Sequence, residues 1–393
     1  MRKRIKAIVK NSSLLYSIYY YMGSAVLRIL GLFIRTDRNL ILFVSYGGKK
    51  YDDSPRVVYE YLLHNPISLK HKYVWAFTEP NQFPEVPNKV KIDTIKYYIT
   101  ALKAGYWITN SSASRGLNFR KTTTKNVMFQ HGMAAIKKIG FDMEVKKGIH
   151  AKHYVENYDA IFIEGKVETE ILKHAMLQDE KVFFKTGLPR NDSLVNASNE
   201  RVKRIKKKLN IPSDRKVILY APTFREQNLD LDRNNYLPIP FDFKKLEKNL
   251  GEKYIMVITA HYEVSKYLDT IPQNHFVYNA FGYPEINDLL IIADILISDY
   301  SSIVFDYSIL ERPILCFGYD YDDYLKQRGV YTNLETLFSK GVLRTQEELI
   351  DAIQTMDYQK ESEFTKKMIK EKYLESYGDA TEKAVKIIFD KLS

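Results

Sequence analysis

The 393-residue chain has one cysteine, Cys316. A single thiol excludes an intrachain disulfide framework and any zinc site built on several cysteines. It lies in the apolar run Pro313-Ile314-Leu315-Cys316-Phe317, so a buried core thiol is expected rather than a nucleophile. Other absences exclude more. No Gly-x-x-x-x-Gly-Lys-Ser/Thr loop is present, and no Gly-x-Gly-x-x-Gly follows a first strand. That argues against P-loop nucleotide hydrolases and standard dinucleotide dehydrogenases. No Gly-x-Ser-x-Gly elbow marks a serine hydrolase. Zinc fingers and RNA-binding aromatic motifs are missing, which makes nucleic acid the weaker choice of partner. No acidic cluster suggests a protein-held metal, so no bound cofactor is expected and the need for Mg²⁺ stays open. Repeats and low-complexity stretches are also lacking.

What the chain does have is positive charge. Lys and Arg number 59 against 48 Asp and Glu, a net of +11. Such a surface favours anionic partners, phosphate polymers and anionic lipid among them. Thirty tyrosines fit both membrane interfaces and ordinary strands, so they decide little. The first ten residues include Arg2, Lys3, Arg4, Lys6 and Lys10. Residues 11–27 carry no charge, Arg28 interrupts, and residues 29–34 are apolar. The charge order is that of a signal peptide, but no small-residue cleavage site follows. Ser12, Ser13, Ser17 and Ser24 make the stretch too polar for a membrane span. Residues 1–38 therefore read as a basic amphipathic helical segment on the anionic cytoplasmic face of a membrane. The alternative is a helix packed on the first domain.

The length implies two domains. Residues 40–45 form a buried-strand run, a polar loop follows, and a helix is expected to start near Pro55. Further apolar runs at 72–77, 106–109, 126–130 and 160–163 alternate with helical stretches. A second series begins at 216–221 and continues at 254–259, 295–297 and 313–317. Strand–helix alternation of this kind implies parallel α/β sheets. The expected organisation is an N-terminal segment 1–38, a first domain 39–195 and a second 196–393, whose last helix packs back on the first. Ligands of such folds sit at the carboxyl ends of strands.

Several polar groups stand just after these runs. They are His131 in Gln130-His131-Gly132-Met133, and Arg190 in Gly187-Leu188-Pro189-Arg190-Asn191-Asp192. Thr223 and Arg225 lie in Ala221-Pro222-Thr223-Phe224-Arg225, and His261 in Thr259-Ala260-His261-Tyr262. Ser301, Ser302 and Asp306 close the series in residues 298–306. A strand that breaks at paired serines and restarts as a helix aims N–H donors and hydroxyls at one point, an arrangement suited to anions. Arg and hydroxyls hold phosphate oxygens, and a histidine titrating near neutrality can take a proton from an attacking hydroxyl. Each group has a plainer reading: a structural histidine, a Pro-containing turn, an N-capping serine pair, a surface ion pair for Arg190. Their coincidence at strand ends favours transfer on a phosphate.

At these residues the chain resembles the CDP-glycerol glycerophosphotransferase family of teichoic-acid primases and polymerases. The resemblance rests on the His-Gly segment 130–142, Gly-x-Pro-Arg-Asn-Asp at 187–192, Ala-Pro-Thr-Phe-Arg at 221–225 and Ser-Asp-Tyr-Ser-Ser-x-x-Phe-Asp at 298–306. Residues 312–314, 319–324 and 378–383 follow in the same order, so it spans roughly residues 40–390. It implies a GT-B-like fold, two Rossmann-like domains facing each other across a cleft. It also implies CDP-glycerol or CDP-ribitol as donor and a polyprenyl-linked glycan or polyol-phosphate polymer as acceptor. Glycerol phosphate would move to an acceptor hydroxyl with release of CMP, at the cytoplasmic face of the membrane.

By the same resemblance His131 is the general base and His261 the second catalytic histidine. Gln130, Gly132, Arg190, Pro222, Thr223, Arg225, Thr259, Ser301, Ser302 and Asp306 contact substrate. Three positions depart from the family pattern: Gln130 stands for Trp, Met133 for Thr and Thr259 for Arg. They leave the alditol and the acceptor open, as they leave primase against polymerase, wall polymer against capsule, and oligomeric state. A glycosyltransferase of the same architecture using a nucleotide sugar is the rival enzyme, and a silent membrane-bound scaffold the rival from another class.

Overall fold

The computed structural model describes residues 12–143, 155–223, 240–259 and 274–392. They fall into two compact units. One comprises the described parts of Met1–His131, Gly140–Arg190 and Asp379–Ser393; the other comprises those of Gly132–Ile139 and Asn191–Gly378. The chain thus passes from first to second at Arg190–Asn191, and its last segment belongs to the first.

The first unit is built on seven parallel strands: β1 (Asp37–Val44), β2 (Lys72–Phe77), β3 (Lys89–Lys91), β4 (Ala104–Thr109), β5 (Lys125–Phe129), β6 (Ala160–Ile163) and β7 (Phe183–Lys185). Their order is β3-β2-β1-β4-β5-β6-β7. Residues 40–44 are all buried, because a parallel sheet is covered on both faces and needs apolar side chains on both. Phe43, Trp75 and Phe77 stack on one face with Tyr59 and Leu62 of helix Asp53–Leu63. Ala384 and Ile388 of the last segment join that layer. The opposite face holds Trp107, Leu102, Tyr97, Phe119 and Leu27.

Strands β1 and β4 are neighbours although two strands and two α-helices separate them in sequence, so the strand order reverses there. Gly105 permits the approach. A Cβ at that position would lie 2.7 Å from the Arg38 Cα and 2.8 Å from its carbonyl oxygen. The β1–β4 register shifts between Asp37 and Ile41, opposite this glycine.

The second unit repeats the plan with six parallel strands: β8 (Lys216–Tyr220), β9 (Tyr254–Ile258), β10 (Val277–Asn279), β11 (Ile295–Ser298), β12 (Ile314–Phe317) and β13 (Val342–Leu343). The order is β10-β9-β8-β11-β12-β13, with the reversal between β8 and β11. Ile218, Tyr220, Met256, Ile295, Leu315 and Leu349 fill one core. Its helices are capped as their sequences indicate. Ser198 accepts from the Arg201 N–H, Asp242 from that of Lys245, and Thr345 forms a capping box with Glu348. Two sheets of this order, each parallel throughout and covered by helices, match the expected pair of Rossmann-like folds.

The amino-terminal segment contains one described helix, Ser13–Phe33, whose only charged residue is Arg28. One side is tied down: Ser24 Oγ accepts from Asn118 N at 2.9 Å, Arg28 Nε donates to Asn118 O at 2.8 Å, and Leu27 is buried. The other side leaves Leu14, Ile18, Met22, Val26, Ile29, Leu32 and Phe33 exposed. No described helix is long and apolar enough to cross a membrane.

Candidate active site

In the first unit, the loop after β1 turns sharply, with φ of 47° at Tyr46, 61° at Gly47 and 83° at Gly48. A side chain at Gly48 would run into Ile92 and sit 3.0 Å from the Ala76 carbonyl oxygen. The loop is stitched to the end of β4: Tyr46 N donates to Asn110 Oδ1 at 2.7 Å, and Gly47 N to Ser111 Oγ at 2.9 Å. These bonds cross the reversal point, where open α/β sheets bind ligands.

Asp53 follows at the start of helix Asp53–Leu63. Its φ is +65°, a left-handed conformation that costs a non-glycine residue about 1–3 kcal/mol. Its carboxylate is buried and fully engaged. It accepts from Tyr46 OH at 2.6 Å, from Ser54 N at 2.5 Å and from Arg190 Nη1 at 3.2 Å. The Arg190 side chain is 13% exposed and that of Asp53 1%, so this is a buried ion pair and not a surface one. Arg190 N adds a 3.4 Å bond to Ser54 Oγ. Burial pushes the Asp53 carboxyl up, but the Arg190 guanidinium, the Tyr46 hydroxyl and the Ser54 N–H outweigh it and hold it below the usual carboxylate range. Burial, then the Asp53 charge, raises the Tyr46 phenol well above its ordinary value.

His131 follows β5 and is exposed. Its ring centroid lies 6.2 Å from that of Tyr46, edge to face. Its charge, when present, also lowers the Asp53 carboxyl. Gln130 is buried: its N donates to Phe162 O at 3.1 Å and its amide lies 3.9 Å from Met176 Sδ. The backbone of Gln130 thus extends the pairing of β5 with β6. Gly132 has φ +141°, a turn that glycine alone takes readily.

The second unit shows the same stitching. Ser298 Oγ donates to Ala221 O at 2.7 Å, and Thr223 N to Asp299 Oδ1 at 2.8 Å. Pro222 lies between those anchors, and Thr259 N donates to Tyr220 O at 3.0 Å at the end of the adjoining β9. Ser301 and Ser302 are half-buried in the turn from β11 to helix Ile303–Ser308. Ser301 Oγ accepts from Ile303 N at 3.4 Å, and Ser302 makes no side-chain cap. Asp306 is buried and accepts from Asn191 Nδ2 at 2.6 Å, which gives it a structural partner. Cys316 is buried, and burial pushes its thiol well above the usual range. Arg225 and His261 lie outside the described residues.

The structure thus collects Gln130, His131 and Arg190 in the first unit, and Gly132, Pro222, Thr223, Thr259, Ser301, Ser302 and Asp306 in the second. Tyr46, Asp53, Asn110 and Asp299 were not among the sequence-based candidates. Asp53 reads in sequence as part of an ordinary helix start, Asp52-Asp53-Ser54-Pro55. Its left-handed backbone, which turns the carboxylate inward, has no sequence signal.

An isosteric Asp53→Asn change keeps the volume and removes the charge that Arg190 faces. Loss of one partner of a buried pair costs about 3–5 kcal/mol. Urea unfolding should register a loss of that order. Because the folded carboxyl is held low, its stabilisation is complete above the ordinary carboxylate pKa and lost as pH falls through the lowered value. The acid limb of the stability curve should therefore flatten in the variant. An unchanged midpoint and acid limb would contradict the pairing.

A model of the family described as CDP-Glycerol:Poly(glycerophosphate) glycerophosphotransferase matches residues 26–390. A teichoic acid poly(glycerol phosphate) polymerase of Bacillus spizizenii is 33% identical over 395 residues, covering 97% of this chain and 98% of that protein. A polymerase of the same description from Staphylococcus epidermidis is 36% identical over 308 residues, covering 75% of this chain and 42% of that longer protein. The solved wall teichoic acid polymerase TagF superposes with a TM-score of 0.82 at 29% identity, covering 99% of this chain and 95% of that one. A variant of that polymerase has been solved after a 30-minute soak with CDPG. Matched by that family's model from residue 26 to residue 390, the chain belongs to the CDP-glycerol:poly(glycerophosphate) glycerophosphotransferase family.

Proposed function

We propose that the chain transfers glycerol phosphate from CDP-glycerol to a hydroxyl of a teichoic-acid-type acceptor and releases CMP. The observation that carries this reading is the family match along almost the whole chain, together with the placing of His131 at the carboxyl end of β5. The exposed imidazole of His131 takes the proton of the acceptor hydroxyl. The hydroxyl oxygen then bonds to the β-phosphorus of the donor. The bond from that phosphorus to the CMP oxygen breaks, and CMP leaves with the electron pair. A phosphodiester results. The hydroxyls of Ser301, Ser302 and Thr223 hold the donor phosphates. From the sequence resemblance alone, His261 is assigned to donate a hydrogen bond to the departing CMP. Arg190 supplies a fixed positive charge, held in place by Asp53. Most of the acceleration comes from positioning and charge stabilisation, as in phosphoryl transfer generally.

The same proposal places the chain peripherally on the cytoplasmic membrane face. Helix Ser13–Phe33 presents an apolar stripe with no described partner, and the chain is strongly basic. A stripe of this kind is suited to lying in the headgroup region. The full chain should sediment with vesicles containing anionic lipid, less so as salt rises. A chain that stays in the supernatant at low salt contradicts the placement.

Replacing His131 by Ala should lower CMP release from CDP-glycerol by about two powers of ten or more. The melting temperature should not move, because the side chain is exposed. Near-normal turnover removes His131 from the role. Release of a nucleotide from UDP-sugars, and none from CDP-glycerol, would favour the glycosyltransferase reading.

A further inference from the structure

At the amino ends of β1, β2, β4 and β5 lies a cavity of about 880 Å³, at the edge opposite the loops that carry Tyr46, Asp53 and His131. Its lining includes Arg38, Lys70, His71 and Lys125. An adjoining recess of about 720 Å³ shares Arg38 and Thr123 and adds Arg35 and Lys103. Among the described residues, none of these five Lys and Arg side chains makes a hydrogen bond or ion pair. The acids of the lining are Asp37 and Asp390; Asp37 meets Lys72 Nζ at 3.2 Å and also feels the charge of Lys103. The floor is apolar, with Tyr106 and Phe389 rings 5.4 Å apart.

Two features indicate what fits there. The amino edge of a parallel sheet faces the carboxyl ends of its helices, whose carbonyl dipoles repel anions. Lys103, in the last turn of helix Ile95–Lys103, answers one such end. The other cations exceed that need. Second, the recess opens at the exit of helix Ser13–Phe33. Leu32 and Phe33, the last residues of the apolar stripe, are 82% and 83% exposed, and Arg35 of the recess follows two residues later. Lys121 Nζ donates to Ile34 O at 2.5 Å and pins the exit. A soluble anion would use the cations and leave the apolar residues in water. A molecule with a phosphate head and an acyl tail uses both.

We propose that this recess binds the headgroup of an anionic phospholipid, its phosphate among Arg35, Arg38 and Lys125 and its chains along Leu32 and Phe33. This rests on the membrane placement above and adds a defined site to it. The site holds the protein on the membrane at an edge remote in the first sheet from His131.

The test uses the full chain and co-sedimentation with phosphatidylcholine vesicles, with and without phosphatidylglycerol. Arg38→Gln with Lys125→Gln removes two recess cations. Lys203→Gln with Lys207→Gln removes two exposed cations elsewhere. Each cation near an anionic surface contributes about a fivefold gain in partition, so the recess pair should lose roughly thirtyfold. The control pair should lose less than about threefold, and CMP release should persist in both. Leu32→Ser with Phe33→Ser should weaken binding to both kinds of vesicle. Equal losses from the two charge pairs, or none from the recess pair, overturn the site and leave the membrane placement standing. Failure of the unsubstituted chain to bind any vesicle overturns both. Displacement of the chain from vesicles by glycerol 3-phosphate, at matched ionic strength, marks a site for free phosphate esters and overturns the lipid assignment.

Discussion

The buried pair of Asp53 and Arg190 is the interaction on which the first unit's polar chemistry depends. A guanidinium withdrawn from water costs several kcal/mol unless a charge answers it. Asp53 answers it from a left-handed backbone position, with the Tyr46 hydroxyl donating to the same oxygen, Oδ2, and Ser54 N to the other, Oδ1. That ring of bonds gives Arg190 one orientation. It also brings Tyr46, already held by Asn110, beside the His131 ring. Removing one member leaves the others buried without their partners.

The two units solve the same problem in parallel. In each, the strand order reverses between two adjacent strands, and a polar side chain beyond the second accepts an N–H from the loop beyond the first. Asn110 does this for Tyr46, and Asp299 does it for Thr223. Backbone N–H groups at such a point must be satisfied or offered to a ligand. The stitches use some and fix the direction of the rest. The proposed phosphate-handling site would therefore rest on backbone geometry that the parallel sheets impose, with side chains added at the rim. Among the described residues, the amino edge of the first sheet carries Arg and Lys side chains that make no hydrogen bond or ion pair, which suits it to the different anion proposed above.

Much of this was legible in the sequence. The runs at residues 40–44, 217–220 and 295–297 are unbroken and apolar, so their strands are plain, as is the repetition of the plan. The histidine, the paired serines and Arg190 stood out because polar groups directly after such runs are conspicuous. The helix around Pro55 was placed to within two residues. What escaped was set by backbone conformation. Asp53 resembles a capping residue, and only its φ of +65° reveals an inward carboxylate. Arg190 was read as a phosphate contact or surface ion pair; its buried partner lies 137 positions earlier. Gln130, expected to contact substrate, also reaches Met176, 46 positions later. Contacts at that separation leave no local pattern.

The central claim, that Asp53 acts on the reaction through Arg190, is tested most directly by a double-mutant cycle on kcat/KM for CMP release from CDP-glycerol. The arms are Asp53→Asn, Arg190→Gln and both together, each compared with the unsubstituted chain. If the two residues act as one unit, the double variant should fall within about threefold of the worse single variant. Losses that multiply would show independent roles and contradict the account.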